Sequence, residues 1–237
     1  MPLRAVTLDA GGTLIEVAEP VGATYARVAG RHGIPLDARE LERRFREAFA
    51  AASPLAFPGV PPTQLAAAEQ GWWEAVVRRA FGASAHHPAF SACFAELYAH
   101  YARKDAWHVF PDVAPTLRAL RARSLRLAVL SNFDRRLVTL LADLGLAPLI
   151  DHVVLSTAAG AAKPDVAAFR TALAILHTSA EETLHVGDSI AEDVEGARAA
   201  GFHAVLLDRS GLGESVPPHV ATIAGLTQLP TLADALA

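Results

Sequence analysis

The chain has 237 residues, of which 52% are hydrophobic and 19% are charged, so it can bury a substantial core and is not intrinsically disordered. Its 21 Lys and Arg against 25 Asp and Glu give a formal charge of −4. Without a basic run, this charge argues against a surface for nucleic acid or for an anionic membrane. The single cysteine, Cys93, excludes an internal disulfide and a thiolate zinc site.

The first apolar stretch, residues 5–8, is too short for the hydrophobic region of a signal peptide. No run in the sequence approaches the roughly 18–20 apolar residues that a membrane span needs. We therefore expect a cytoplasmic protein without a membrane partner.

Five short apolar runs predict strands, because such runs suit strands that are buried on both faces of a parallel sheet. Helical periodicity separates the last four of them. This alternation is typical of a doubly wound parallel sheet of the Rossmann-like α/β class. The predicted strands are 5–8, 127–130, 152–155, 184–186 and 204–207, and the predicted helices between the last four cover 137–144, 166–176 and 191–200.

Residues 16–107 interrupt this alternation with helical patterns and no convincing strand. Turn-rich segments separate the patterns. We therefore predict a core domain at 1–15 and 108–237, with an all-helical domain at 16–107 inserted into it. The predicted helices of the insertion cover 21–32, 38–52, 63–81 and 88–103. The Trp72–Trp73 pair is interpreted as core of the insertion, because Trp72 lies on an apolar helical stripe.

Polar residues suited to phosphate or metal follow four of the five predicted strands. Asp9, Ser131 and Asp188 come at or just past strand ends, and Lys163 follows a small-residue loop. The carboxyl ends of parallel strands form the ligand-binding edge of an open α/β sheet, so we expect these side chains to converge. Ser131 and Lys163 would both donate hydrogen bonds to one anion there.

The other residues at these strand ends complement that anion. Asp9 and Asp188 could hold one hard cation, since Mg²⁺ typically uses one or two carboxylates together with phosphate and water. Gly11 and Gly12 allow a tight turn whose backbone N–H groups can cradle an anion. A carboxylate facing a metal-bound phosphoryl group is also a plausible nucleophile.

These four segments resemble, in order, the four motifs of the haloacid dehalogenase superfamily. The resemblance implies that Asp9 is a nucleophile that forms an aspartyl-phosphate, and that Asp9, the Gly11 carbonyl and Asp188 bind Mg²⁺. The inserted helices are similar to the family's cap domain, which closes over a small phosphorylated substrate and sets specificity. The resemblance further implies that Ser131 and Lys163 grip the phosphoryl group, that Gly11, Gly12 and Asn132 help bind phosphate or substrate, that Thr13 supports the nucleophile loop, and that Ser189 and Asp193 lie in the outer shell of the metal.

Alternative interpretations of two of these residues depend on local structure alone. Asp193 would also sit favourably near a helix N-terminus, and Lys163 precedes a proline suited to a first helical turn.

The ten histidines show no metal-ligand spacing on a helix face and are interpreted as surface or packing residues. Cys93, among helical Ala and Phe residues, is interpreted as a small buried hydrophobe.

One position departs from the pattern of the family's phosphatases, which carry a second Asp two residues after the nucleophile as general acid and base. Gly11 stands there in this chain. A positioned proton donor contributes typically about 10²–10⁴-fold, so its absence predicts weak or selective activity that favours acyl or aryl phosphates. His86, His87, Glu16 or an arginine of the insertion could replace the missing donor.

Gly11 also leaves other functions open. The first alternative is a phosphate- or metabolite-binding protein without efficient catalysis. The second is a haloacid dehalogenase, a relative that lacks the second Asp but is disfavoured by Asp188 and Phe169 at positions where that group tends to carry Asn and Tyr. A phosphonoacetaldehyde hydrolase would need a lysine in the cap, and residues 16–103 contain none.

A narrower resemblance is to the subfamily called "haloacid dehalogenase-like hydrolase domain-containing protein 3", whose members commonly lack the second Asp. It implies a fold but no substrate, and the sequence leaves the oligomeric state open. The segments that carry it are Asp-Ala-Gly-Gly-Thr-Leu at 9–14, the Trp72–Trp73 pair, residues 131–137, and Ala159–Gly160 before Lys163–Pro164.

Overall fold

The computed structural model describes residues 2–211, 216–217 and 220–236, and the chain divides into two compact units. The first unit consists of Met1–Glu16, Ala56–Val60 and Val109–Ala237, and the second of Val17–Leu55 and Pro61–His108. This division differs from the predicted ranges mainly at Ala56–Val60, a segment that the sequence pattern placed in the insertion. The predicted core range also includes residues outside the described ones.

The first unit is built on a parallel six-stranded sheet, which confirms the predicted α/β class. The strands of the described residues are β1 (Ala5–Leu8), β2 (Ile15–Val17), β3 (Trp107–Val109), β4 (Arg126–Ser131), β5 (His152–Leu155), β6 (Thr183–Gly187), β7 (His203–Leu207) and β8 (Thr222–Ile223). The sheet has the order β5-β4-β1-β6-β7-β8, and β2 and β3 form a separate two-stranded sheet.

The strand order reverses direction at β1, and this reversal determines where polar side chains collect. The chain adds β4 and β5 on one side of β1 and then crosses to add β6, β7 and β8 on the other. In the register of the sheet, Leu8 lies opposite both Val129 of β4 and Val186 of β6. The three central strands therefore end at nearly the same level, at the kind of switch point where open α/β sheets bind ligands.

The helices match the predicted pattern where the apolar periodicity is long. They are α1 (Val21–Arg31), α2 (Ala38–Ala50), α3 (Leu65–Phe81), α4 (Phe90–His100), α5 (Val113–Arg121), α6 (Arg136–Asp143), α7 (Ser156–Ala159), α8 (Val166–Leu176), α9 (Gly196–Ala199) and α10 (Leu229–Ala235). The helix predicted at 191–200 is instead a π-helical turn at Ile190–Glu195 followed by α9. The prediction of no strand in 16–107 is wrong at both ends, where β2 and β3 pair.

The second unit contains helices α1 to α4 around its own apolar core. Phe81 and Cys93 are fully buried in it, as interpreted for Cys93 from the sequence. Trp72 and Trp73 meet edge to face, with ring centroids 4.9 Å apart, and the Trp72 indole donates to the Ser53 carbonyl at 2.9 Å. No helix among the described residues has the length and apolarity needed to span a bilayer.

Candidate active site

Asp9 directly follows β1 and is fixed by both neighbouring strands. Its backbone N–H donates to the Val186 carbonyl at 2.9 Å. Its side-chain oxygen Oδ1 accepts from Lys163 Nζ at 2.6 Å and from Ser131 Oγ at 3.2 Å. Burial raises the pKa of Asp9, against the lowering effect of Lys163. The Lys163 and Ser131 side chains therefore both bond the same oxygen of Asp9.

Lys163 lies between two carboxylates in a buried position. Its Nζ is 2.6 Å from Asp9 Oδ1 and 2.5 Å from Asp193 Oδ1, and the side chain is only 1% exposed. Burial alone would lower the pKa of Lys163, but the two carboxylates together raise it above its ordinary value. The lysine therefore stays charged at neutral pH and can attract an anion at this strand edge.

Asn132 holds the backbone of Lys163 rather than presenting a free amide to a ligand. Its Nδ2 donates to the Lys163 carbonyl at 2.9 Å, and its Oδ1 accepts from the Lys163 N–H at 2.8 Å. The same Nδ2 also donates to Glu192 Oε2 at 3.0 Å. These three bonds use both polar atoms of the Asn132 side-chain amide, and its role in phosphate or substrate binding stays a prediction.

Two glycines allow the acidic side chains to approach the strand ends closely. Gly12 has a positive φ of 75°, and a Cβ there would lie 2.1 Å from Asp188 Oδ2. A Cβ on Gly187 would lie 2.1 Å from the carboxyl carbon of Asp193. Partial burial raises the pKa of Asp188 to about 7, and the nearby charges of Asp9 and Asp193 add to this shift. Each glycine is thus required by the carboxylate beside it.

The cluster has the donor set of a magnesium site completed by substrate. No group of three or more His, Cys, Asp or Glu side chains within the described ranges could hold a metal by itself. Burial, together with the nearby charges of Asp9 and Asp193, raises the pKa of Asp188, so a cation beside this carboxylate would stabilise its ionised form. Mg²⁺ commonly takes one or two protein carboxylates and fills its remaining positions with phosphate and water. Asp9 and Asp188 fit that requirement, with the Gly11 carbonyl on the same loop as Asp9.

Thr13 and Ser189 make contacts that the sequence pattern does not specify, and the roles that the resemblance implies for them stay predictions. Thr13 is fully buried, and its hydroxyl has no hydrogen-bond partner among the described residues, while its carbonyl accepts from Arg209 at 2.9 Å. Ser189 caps the π-helical turn, because its Oγ accepts from the Glu192 N–H at 3.2 Å. The Ser189 N–H donates to Asp193 Oδ2 at 3.0 Å, so Ser189 orients that carboxylate.

Two residues at the site were missed by the sequence analysis. His185 is 1% exposed and bonds Asp193 Oδ1 through Nε2 at 2.9 Å, so it is part of the polar cluster and not only a packing residue. Glu192 bonds Asn132, and burial raises its pKa. The alternation of side chains along β6 could have placed His185 beside the site, because it precedes Gly187 by two residues.

The structure gives a local contact for one of the candidate replacement proton donors, His87, and an exposed position for another, Glu16. His87 accepts from the Ala89 N–H through Nδ1 at 3.2 Å within a turn of the second unit. Glu16 is exposed on β2. These observations assign no role in proton transfer to either side chain, so their suggested role stays a prediction.

The chain has an α/β fold with acidic side chains and a lysine clustered at the switch point of its parallel sheet. A family model described as "haloacid dehalogenase-like hydrolase" matches residues 3–201. The chain belongs to this family of hydrolases. The human "Haloacid dehalogenase-like hydrolase domain-containing protein 3" is 37% identical over 208 residues, covering 87% of this chain and 82% of the relative. The zebrafish (Danio rerio) protein of that name is 36% identical over 211 residues, covering 88% and 86%. Both predicted resemblances are confirmed.

Solved structures with the same fold include proteins of different activities. An L-2-haloacid dehalogenase from Xanthobacter autotrophicus, with chloropropionic acid covalently bound, aligns with a TM-score of 0.71 at 20% identity, covering 99% of this chain and 100% of that one. A HAD phosphatase from Thermococcus onnurineus aligns at 0.67 with 23% identity, covering 97% of each chain. A magnesium-bound HAD-hydrolase from Bacillus subtilis aligns at 0.69 with 20% identity, covering 99% and 100%. At these identities the likeness concerns the fold alone.

Proposed function

We propose that this hydrolase is a Mg²⁺-dependent phosphatase of a small phosphorylated metabolite, acting through an aspartyl-phosphate on Asp9. The observation that carries the proposal is that the side-chain donors at Asp9 bond only one of its two carboxylate oxygens. Lys163 and Ser131 both bond Oδ1, so Oδ2 is the oxygen that can attack. The same lysine and hydroxyl provide donors for a phosphoryl group beside it.

In the first half-reaction, Asp9 Oδ2 forms a bond to phosphorus while the bond to the leaving-group oxygen breaks. The leaving oxygen departs with the electron pair, and Lys163 and Ser131 stabilise the charge on the phosphoryl oxygens. In the second, water attacks phosphorus, the bond to Asp9 breaks, and inorganic phosphate leaves with the carboxylate restored. Asp9 splits one difficult displacement into two easier ones.

Asp9, Asp188 and the Gly11 carbonyl would hold the magnesium ion in this proposal. Bound there, Mg²⁺ would neutralise part of the charge of the phosphate and of the two carboxylates. Asp193 contributes by binding Lys163 at 2.5 Å, because this contact keeps the lysine directed toward Asp9. The role of Asp193 is thus to position the lysine.

Gly11 limits which substrates the protein would hydrolyse well. It has no side chain that could protonate the leaving group, so substrates whose leaving groups are stable anions are favoured. Acyl phosphates and aryl phosphates have such leaving groups. We propose these two classes as the better substrates and alkyl phosphates as the poorer ones.

The test measures phosphate release from acetyl phosphate, p-nitrophenyl phosphate and a panel of alkyl phosphates, with Mg²⁺ and with EDTA. We expect turnover that requires Mg²⁺ and is abolished in Asp9→Asn. Intact-mass measurement after acid quench should show one added phosphoryl group on the wild type and none on the variant.

Two further measurements separate the alternative functions. Calorimetry that shows tight phosphate binding without turnover or phosphoenzyme would instead support a binding protein, the function that Gly11 also permits. Chloride release from 2-chloropropionate without Mg²⁺ would support a dehalogenase. Equal phosphate release by the wild type and Asp9→Asn would refute the proposal outright.

A further inference from the structure

We infer that His185 is a positioning residue for Lys163. It acts through Asp193, in a buried series of hydrogen bonds that begins at Thr7. This inference rests on the proposed function, because it assigns the lysine a phosphoryl-binding role. The hydrogen bonds join the Thr7 hydroxyl to His185 Nδ1 at 2.8 Å, His185 Nε2 to Asp193 at 2.9 Å, and Asp193 to Lys163 at 2.5 Å.

All four side chains are buried, so their hydrogen bonds are protected from competing water. Counted over whole residues, Thr7 is fully buried, His185 and Asp193 are each 1% exposed, and Lys163 is 3% exposed. A buried polar group without a partner costs about 1–3 kcal/mol, so such groups are held where their partners are. We therefore expect these four side chains to keep one hydrogen-bonded arrangement.

The hydrogen bonds determine which nitrogen of His185 carries its proton. Lys163 and the His185 bond lower the pKa of Asp193, against the raising effect of burial, so the carboxylate is ionised and can only accept. His185 Nε2 must then donate to it. Burial lowers the pKa of His185, so the ring is neutral and Nδ1 accepts from the Thr7 hydroxyl.

This tautomer fixes the carboxylate that directs the lysine. Asp193 Oδ1 bonds both His185 and Lys163, while its Oδ2 accepts from the Ser189 N–H at 3.0 Å. With both oxygens held, the Asp193 carboxylate cannot rotate, and it holds Lys163 Nζ in reach of Asp9. The Phe169 ring meets His185 edge to face at 5.2 Å and closes an apolar side of the imidazole.

The test compares His185→Gln with His185→Leu on acetyl phosphate. Gln can still donate an N–H to Asp193, whereas Leu cannot. Loss of a partner that orients a functional group typically costs about 10–100-fold, so kcat should fall by that factor in His185→Leu. KM should change far less than kcat, because Lys163 keeps its charge. His185→Gln should recover most of kcat, and equal losses in both variants would overturn the inference.

A measurement on the wild type needs neither turnover nor a folded variant. Long-range ¹H–¹⁵N NMR of the imidazole should show His185 as the neutral Nε2–H tautomer. A neutral Nδ1–H tautomer would overturn the inference even if the enzyme is active. Absence of turnover in the wild type would refute the proposed phosphatase function, while the NMR result would still decide how His185 holds Asp193.

Discussion

Gly11 lies two residues after Asp9, in a loop with room for a side chain. A Cβ built on Gly11 meets no atom within 4 Å, and its φ lies outside the left-handed region. We predict that Gly11→Asp folds normally and raises kcat on alkyl phosphates, by up to about 10²–10⁴-fold if the new carboxyl reaches the leaving group. The gain on acyl phosphates should be smaller, because their leaving groups need little protonation. Phosphate-release kinetics on both classes check this.

Gly11→Asn is the matched control for that variant. It has nearly the same shape as Asp but cannot transfer a proton, so it should leave the preference for acyl phosphates unchanged. A similar gain from Asn and Asp would show that the effect comes from loop conformation and not from proton transfer.

Cys93 illustrates how burial controls reactivity at a single residue. It is fully buried in α4, and burial together with the charge of Glu96 raises the pKa of the thiol to about 11. Because the thiolate is the reactive form, we predict very slow alkylation by iodoacetamide at pH 8 and faster alkylation in denaturant. Mass spectrometry of timed samples measures both rates. Rapid labelling of the native protein would contradict the buried position.

The candidate site residues could be predicted from the sequence, but their hydrogen-bond partners could not. Asp9, Ser131, Lys163 and Asp188 follow strand ends, and the strand pattern alone places them at one edge of the sheet. The partners of Asn132 depend on where the backbone of Lys163 passes, 31 residues later in the chain. Side-chain pairing at that separation depends on the three-dimensional arrangement, which single-residue patterns do not encode.

The packing of α1 against α2 depends on a glycine. A Cβ on Gly22 would lie 2.1 Å from the Ala38 carbonyl oxygen, and the Gly22 N–H donates to Glu42 Oε2 at 2.7 Å. We predict that Gly22→Ala lowers the free energy of unfolding by about 1–3 kcal/mol, because the two helices must separate to accept the methyl group. Urea denaturation followed by circular dichroism measures this change.

Gly30 in the same helix provides the opposite case. It is exposed, and a Cβ there meets no atom within 4 Å. Alanine in a helix interior is favoured over glycine by about 0.5–1 kcal/mol, so Gly30→Ala should stabilise the protein by about that amount. Destabilisation by both substitutions would show that the close contact at Gly22 is not the cause.

Long elements could be predicted from sequence and short ones could not. Helices α1 to α4 have several turns of apolar periodicity, and their bounds lie within two residues of the predicted ones, except that α4 ends three residues early. By contrast, β2, β3 and β8 contain two or three residues each, too few for a pattern to be recognised. The π-helical turn at Ile190–Glu195 has the same apolar spacing as a regular helix start, so the sequence could not distinguish them.

We expect the carboxylates of the candidate active site to affect the stability of the whole protein. Partial burial and the nearby Asp9 and Asp193 charges disfavour the ionised form of Asp188. We therefore predict that Asp188→Asn raises Tm in EDTA, because it removes a repelling charge. Mg²⁺ should raise the Tm of the wild type, since a ligand that binds the folded state stabilises it, and should have less effect on the variant. Differential scanning calorimetry with and without Mg²⁺ tests both expectations.

Asp165→Asn controls for the change of charge alone. Asp165 caps α8 by accepting from the Ala167 N–H at 2.8 Å, and asparagine caps helices about as well. This variant should keep the wild-type response to Mg²⁺. An equal loss of that response in both variants would point to a general charge effect and away from a magnesium site at Asp188.

The segment Ala56–Val60 has a consequence for recombining this protein with its relatives. It is flanked on both sides by residues of the second unit, yet it belongs to the first, where a Cβ on Gly160 would lie 3.3 Å from Pro58 Cα. A chimera in which residues 17–108 come from a relative would therefore place the relative's residues, and not the native Pro58, against Gly160. A chimera that exchanges 17–55 and 61–108 together and keeps the native 56–60 would preserve that contact, because 56–60 belongs to the first unit.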